Sequence, residues 1–175
     1  GRIATATGNS QWISSPSSLK FSHRLRAEHD AILVGIGTVL RDNPTLTVRL
    51  VRGRNPLRVV ADSGLATPAD ANVMRNLSET PTLIATTRNP SDPRYQRLSK
   101  AGAHLITVAP DRNQQVDLKK LFQKLAAENI SSVLIEGGAG IITSALGQGL
   151  VHRLVVVTAP KILGKGIEAI GDLGI

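Results

Sequence analysis

A chain of 175 residues fits one domain and is long enough to bury a sizeable core, and its 41% hydrophobic content is ordinary for a globular protein. No apolar run approaches the roughly 20 residues of a membrane span. Twenty-one Lys and Arg against thirteen Asp and Glu give a charge of +8, an excess that draws anionic partners. The bases are spread along the chain and its aromatics are Trp12, Tyr95, Phe21 and Phe122, too few for a nucleic-acid stacking platform. A phosphorylated small molecule accounts for the charge equally well. The lack of Cys excludes disulfides and thiolate metal sites and fits a reducing, cytoplasmic setting. The start, GRIATATG, has no initiator Met and no signal-peptide pattern, so a cut or processed chain is expected.

Residues 15–29 open with Ser15 and Pro16, a cap-like start, and set Phe21 and Leu25 one turn apart, which predicts a helix. Strands are expected at 31–35, 57–62, 82–87, 104–108, 132–136 and 153–157, and loops at 49–56 and 109–115. The strand runs are continuously aliphatic rather than alternating, which predicts a largely parallel sheet buried on both faces. Behind Asp117, a plausible N-cap, Leu118, Leu121, Phe122 and Leu125 follow helical spacing, and Ile142, Ala145, Leu146 and Gly149 repeat it. The expected architecture is a single α/β domain over residues 1–175, with helices on both faces of one sheet.

In SVLIEGGAGIITSAL, residues 132–146, Glu136 puts a charge between an apolar run and three glycines. Such an acid needs a partner or a ligand. The glycines that follow nearly match a dinucleotide fingerprint, with Gly138 and Gly140 in its first two places and Thr143 in its third. A Rossmann domain is disfavoured, because the carboxylate after Glu136 is Glu168, too far on to meet a ribose. A second glycine turn, Gly35, Gly37 and Thr38, opens GIGTVLRDNPTLTVR. Asp42 there reads as a turn group until Arg26 and Arg49 are considered, since guanidinium groups bind phosphate through paired donors. His23, His29, His104 and His152 show no ligand spacing, and with no Cys no metal is expected. Hydrolase elbow and P-loop patterns are absent. Trp12, in GNSQWISS, serves equally well as core or as a ligand wall.

The blocks IATATGNSQWI, HRLRAEHDAILVGIGTVLRDNPTLTVR, NPLRVVADS, LIEGGAG and LVVVTAPKILG together resemble the reductase domain of the bifunctional pyrimidine deaminase/reductase of riboflavin biosynthesis. The resemblance covers nearly the whole chain and keeps the family's order of blocks. It implies a dihydrofolate-reductase-like fold, a homodimer, and NADPH-dependent reduction of 5-amino-6-(5-phosphoribosylamino)uracil, the ribose opening so that hydride reaches C1. It also implies that Ser10, Arg26, Leu46 and Arg49 line the substrate, with Glu136 facing it at its strand end. Trp12, Thr38 and Asp42 are expected along the cofactor. The turn of Gly138, Ala139, Gly140, Ile141, Ile142, Thr143 and Ser144 is expected at its pyrophosphate. Asp42 and Glu136 become the candidates for polarising the opened sugar or relaying its proton.

The chain departs from the family's pattern in three places. Ala66, in DSGLATP, stands where members often carry Arg, which leaves Ser63, with Thr86, Thr87 and Arg88, to meet a 2′-phosphate. The chain stops soon after PKILGKG, where relatives continue into further strands, so those strands are expected to be missing. The zinc-dependent deaminase half is absent, and in a full protein it is expected as an upstream fusion. A pterin or another ring is the competing substrate, because two Arg residues argue for a phosphate without identifying the ring. The sequence is also compatible with a basic nucleic-acid-binding module, and with a nucleotide-binding fragment that does not turn over.

Overall fold

The computed structural model describes every residue except Asn9, Gln11, Trp12 and Ile175. Trp12, expected along the cofactor, therefore lies outside the described residues.

Five parallel strands form the central sheet: β2 (Ala31–Gly35), β3 (Leu57–Ala61), β4 (Thr82–Thr86), β5 (His104–Thr107) and β6 (Val133–Ile135), in the order β5-β4-β3-β2-β6. All five residues of β2 are buried. Successive side chains point to opposite faces, so a strand buried at every position must be covered on both. One face carries Ile32, Val34, Val60 and Ile84 against Val39 of α2 (Ile36–Asp42) and Leu98 of α3 (Pro93–Lys100). The other carries Leu33, Val59 and Leu83 against Leu118, Leu121 and Leu125 of α4 (Leu118–Ala127) and Ala145 of α5 (Ala139–Gly147). Each fully buried Leu, Ile or Val contributes about 1.5–3 kcal/mol through removal from water.

The expected caps are in place. Ser15 accepts the Ser18 amide at the start of α1 (Pro16–Glu28), and Asp117 does the same for Lys120 at α4. Helix α3 went unassigned from sequence, although Asp92 as N-cap, Pro93 at the first position, and Tyr95 and Leu98 three apart are its signature. The turn expected at Gly35–Thr38 is instead the start of α2, with Gly35 as its N-cap.

Residues 153–157 correct the expected strand: no segment among the described residues pairs with them, and Leu154, Val155, Val156 and Val157 are all exposed. β-branched propensity alone does not make a strand, since a strand needs a neighbouring edge to take its backbone hydrogen bonds. The chain instead forms a separate antiparallel ribbon of β1 (Arg2–Thr5) with β7 (Gly166–Glu168), neither of which carries an aliphatic run that sequence patterning could detect.

At the opposite end of the sheet from the glycine turns, Asp30 ties three strand starts together. Its carboxylate accepts the amides of Ser131 and Ser132 at 3.1 Å each, their hydroxyls at 2.7 and 2.9 Å, and the Arg54 guanidinium. Its carbonyl accepts the Leu57 amide. These donors, the Ser131 and Ser132 hydroxyls foremost, hold the Asp30 carboxyl well below the usual carboxylate range. A depressed carboxyl stabilises the fold above its unfolded pKa of about 4, and the contribution is lost as pH falls below that. Asp30→Asn should lower stability at neutral pH by about 1 kcal/mol, or about 3 °C in Tm. The gap from wild type should narrow on acidification from about pH 6 to about pH 3, which thermal unfolding followed by circular dichroism will measure.

Candidate functional site

Chain order reverses beside β2. From there the chain steps outward through β3, β4 and β5, then returns along α4 to place β6 on the other side of β2. Parallel sheets open a crevice at such a switch point, outside the carboxyl ends of the strands. Here it is a cleft of about 530 Å³ between the starts of α2 and α5.

Two glycines permit the approach. A Cβ on Gly35 would lie 2.9 Å from Cγ1 of Ile141, and one on Gly138 would lie 3.1 Å from Oγ1 of Thr38, where φ is already +78°. Gly138 is the N-cap of α5 and offers no side chain; its carbonyl accepts the Ile141 and Ile142 amides at 3.0 and 3.2 Å, and the amides ahead of them, on Ala139 and Gly140, lie at the anion-compatible end of the helix dipole. Thr38, Asp42, Gly138, Ala139, Gly140, Ile141 and Ser144 line the cleft. Ile142 and Thr143 do not. The Thr143 hydroxyl donates to the Ala139 carbonyl and accepts the Gly171 amide at 2.7 Å, so it braces the chain behind the helix.

The charge at Glu136 has a partner within the protein. Arg26 donates from Nε to Oε1 at 2.8 Å and from Nη2 to Oε2 at 2.5 Å, and the Ser22 hydroxyl adds a third bond at 3.1 Å. The paired side chains are 13% and 23% exposed, which makes this a largely desolvated fork of charge-assisted bonds. Glu136 also anchors to β2, its amide donating to the Leu33 carbonyl at 3.0 Å. Arg26 thus sits at the end of β6, where Glu136 is two residues before Gly138 in sequence.

The same helix holds the loop after α2. Arg26 Nη1 donates to the Thr47 carbonyl at 3.0 Å, and Nδ1 of His23, itself buried, accepts the Arg49 amide at 2.9 Å. Just ahead of these two ties lies Leu46, whose side chain is in the core while its backbone takes a left-handed φ of +54°, unusual for a branched residue and costing about 1–3 kcal/mol. Burial of that side chain offsets the strain and leaves only the Leu46 backbone to meet a ligand. The Arg49 guanidinium is exposed and donates to the hydroxyls of Thr45 and Thr47. Ser10 is exposed on the N-terminal segment.

Ser63 lies in a smaller polar recess of about 430 Å³ with Gly64, Thr87 and Arg88, which meets the main cleft at Gln115. Fully buried Asp62 shapes the turn beneath it by accepting the amides of Ala66 and Thr67 and the Thr67 hydroxyl. Ser63 in turn accepts the hydroxyls of Thr86 and Thr87 on its carbonyl. Sequence reasoning missed the cleft wall formed by Arg41, Asp111, Asn113, Gln115, Ile3 and Ile167. Residues 109–115 looked like a plain polar loop, and the β1/β7 ribbon carrying Ile3 and Ile167 had no readable pattern.

Over residues 1–175 the chain matches the protein family described as the RibD C-terminal domain. It is 39% identical over 176 residues to the riboflavin biosynthesis protein RibD of Aquifex aeolicus, covering 100% of this chain and 47% of that protein. It is 42% identical over 167 residues to the 2,5-diamino-6-ribosylamino-4(3H)-pyrimidinone 5′-phosphate reductase of Methanothermobacter thermautotrophicus, covering 94% and 74%. Among solved structures, Acinetobacter baumannii RibD agrees with a TM-score of 0.82 at 27% identity, over 98% of this chain and 46% of that one. The Thermotoga maritima diaminohydroxyphosphoribosylaminopyrimidine deaminase/5-amino-6-(5-phosphoribosylamino)uracil reductase agrees with a TM-score of 0.73 at 27% identity, over 100% and 47%. The chain spans about half the length of these RibD relatives, and its α/β fold is the dihydrofolate-reductase-like one they share.

Breaking the Arg26–Glu136 fork from one side leaves a poorly solvated charge unmatched. Arg26→Ala should cost about 1.5–3 kcal/mol of stability. Glu136→Ala added to it should cost less than the sum of the two single losses, as a double-mutant cycle by urea denaturation will reveal.

Proposed function

The chain belongs to the RibD C-terminal domain family, and from that premise we propose that it reduces 5-amino-6-(5-phosphoribosylamino)uracil to its phosphoribitylamino form with NADPH, in riboflavin biosynthesis. The observation that carries this reading is a nucleotide-sized, glycine-edged cleft whose Gly138 lies two residues after Glu136, the carboxylate that holds Arg26, with the loop carrying Arg49 tied to the same helix as Arg26.

The residues fit such a cofactor. The Ala139 and Gly140 amides and the dipole of α5 suit a pyrophosphate, and the apolar side chains of Ile36, Ile141, Ile3 and Ile167 suit flat rings. Bound there, NADPH supplies the hydride. Ser63, Thr87 and Arg88 form the recess for a 2′-phosphate and replace the Arg expected at Ala66. The Arg49 guanidinium, oriented by Thr45 and Thr47, binds the substrate phosphate, and Arg26 joins it with the N–H groups that Glu136 and Thr47 leave free. Both oxygens of Glu136 already accept donors, so its part is to hold Arg26 at the substrate's edge. Asp42, exposed at the cleft rim, is the carboxylate assigned to relaying a proton to the opened sugar. A homodimer in the cytoplasm, joined in the full protein to a deaminase domain like that in the name of the Thermotoga relative, belongs to the same reading.

A second reading takes the substrate before deamination, with an amino group at the pyrimidine 2-position. It is favoured by the 42% identity to the Methanothermobacter enzyme, named for the 2,5-diamino compound, of which this chain covers 74%. Measuring kcat/KM for the two bases by NADPH oxidation decides between them. Turnover of neither base would defeat both.

Arg49→Ala should lower kcat/KM for the phosphorylated substrate about tenfold, equivalent to ~1.4 kcal/mol, and leave the KM for NADPH unchanged. Arg88→Ala should have the converse pattern, raising the KM for NADPH about tenfold while leaving that for NADH within about twofold. Steady-state kinetics with each cofactor will check both.

A further inference from the structure

His23 is the one described histidine that is buried, at 5% exposure, and the proposed reaction leaves it without a task. It sits three residues before Arg26 on α1, a spacing that puts both side chains on one face of the helix. Its Nδ1 accepts the Arg49 amide at 2.9 Å. A nitrogen that accepts a hydrogen bond carries no proton, so the ring is neutral with its proton on Nε2. The loop from 43 to 49 is thereby fastened to α1 at two points, through Arg26 to the Thr47 carbonyl and through His23 to the Arg49 amide. Leu46, strained beside them, adds an anchor in the core.

From this arrangement we infer that His23 is a positioning residue for substrate, its neutral ring fixing the backbone from which Arg49 presents its guanidinium. The inference rests on Arg49 as the phosphate ligand, as proposed above. Protonation of Nδ1 would oppose two N–H groups, break the bond and release the segment that carries Arg49. The charged groups facing the ring are Arg26 on its own helix, Arg49 on the loop, and Glu136 at the end of β6. Burial foremost, then repulsion from Arg26 and Arg49, lowers the ring's pKa from its ordinary value of 6.5, with Glu136 opposing. The neutral form therefore holds at physiological pH, and the loop loosens as pH falls through the lowered value.

The substrate phosphate titrates in the same range, so the deciding comparison is between wild type and His23→Gln, whose amide oxygen can accept the Arg49 amide but cannot titrate. In wild type, the KM for the phosphoribosylamino-uracil should rise about tenfold more than in His23→Gln between about pH 7.5 and about pH 5. The two should agree within about twofold at the upper pH, and kcat should move less than KM. His23→Leu, which has no acceptor, should show the raised KM throughout. A ligand-free measurement stands beside these: in wild type the Arg49 amide resonance should shift with pH at a midpoint below 6.5, and in His23→Gln that titration should vanish. An Arg49 amide indifferent to pH overturns the coupling. An amide that titrates while the acid rise in KM is the same in both proteins overturns the role in substrate binding. Arg49→Ala run in parallel separates the two levels: an unchanged KM there defeats the phosphate assignment, and the amide titration still decides the coupling.

Discussion

A guanidinium and a carboxylate locked together at the end of β6 set the geometry on which the site depends. Neither group is well solvated where it lies, so each requires the other, and the fork they form fixes the face α1 turns toward the sheet. Because Glu136 also bonds to β2, the fork connects helix and sheet at the point where two backbones close on one another at Gly35 and Gly138. The remaining N–H groups of Arg26, the loop that carries Arg49 and the amide-rich start of α5 thus belong to one rigid edge.

Rigidity at this edge is balanced by tension nearby. Leu46 holds a backbone conformation that costs energy, and it is kept there because its side chain is buried and the chain that follows it is fastened to α1. Strain retained in this manner clusters where a protein must present a group at a defined position. On the other side of the cleft, Asp62 uses three accepted hydrogen bonds to hold the turn under Ser63. The two devices differ in chemistry and share a purpose, which is to stiffen loops at the carboxyl ends of strands. Far from the cleft, Asp30 secures the opposite ends of β2, β3 and β6, so these strands are fastened at that end as well.

Much of this was readable in the sequence, and the reasons are local. Aliphatic runs marked β2, β3 and β4 to within a residue, because strands buried on both faces have few polar positions to blur them, and the shorter Leu105–Ile106 centre marked β5, whose ends are exposed. Ser15 and Asp117 marked helix starts because a capping side chain acts within three residues. The cleft residues Thr38, Asp42 and Gly138 came from motif resemblance, and they do line one cleft. What could not be read depends on contacts distant in the chain. Glu136 was expected to be answered by a ligand, and its partner is Arg26, 110 positions away. The run at 153–157 has strand propensity without a neighbouring edge, and the β1/β7 ribbon joins the two ends of the chain with no pattern of its own. His23 looked like a stray histidine because its meaning lies in a backbone amide 26 residues on.

The central claim is that this edge of the sheet exists to hold a phosphorylated sugar beside a reduced nicotinamide. The most direct measurement is NADPH oxidation by the intact chain with the phosphoribosylamino-uracil and with its dephosphorylated counterpart, under identical conditions. The account predicts turnover of the phosphorylated compound and a kcat/KM at least about tenfold lower without the phosphate. Equal rates with the two compounds, or no oxidation with either, would contradict it.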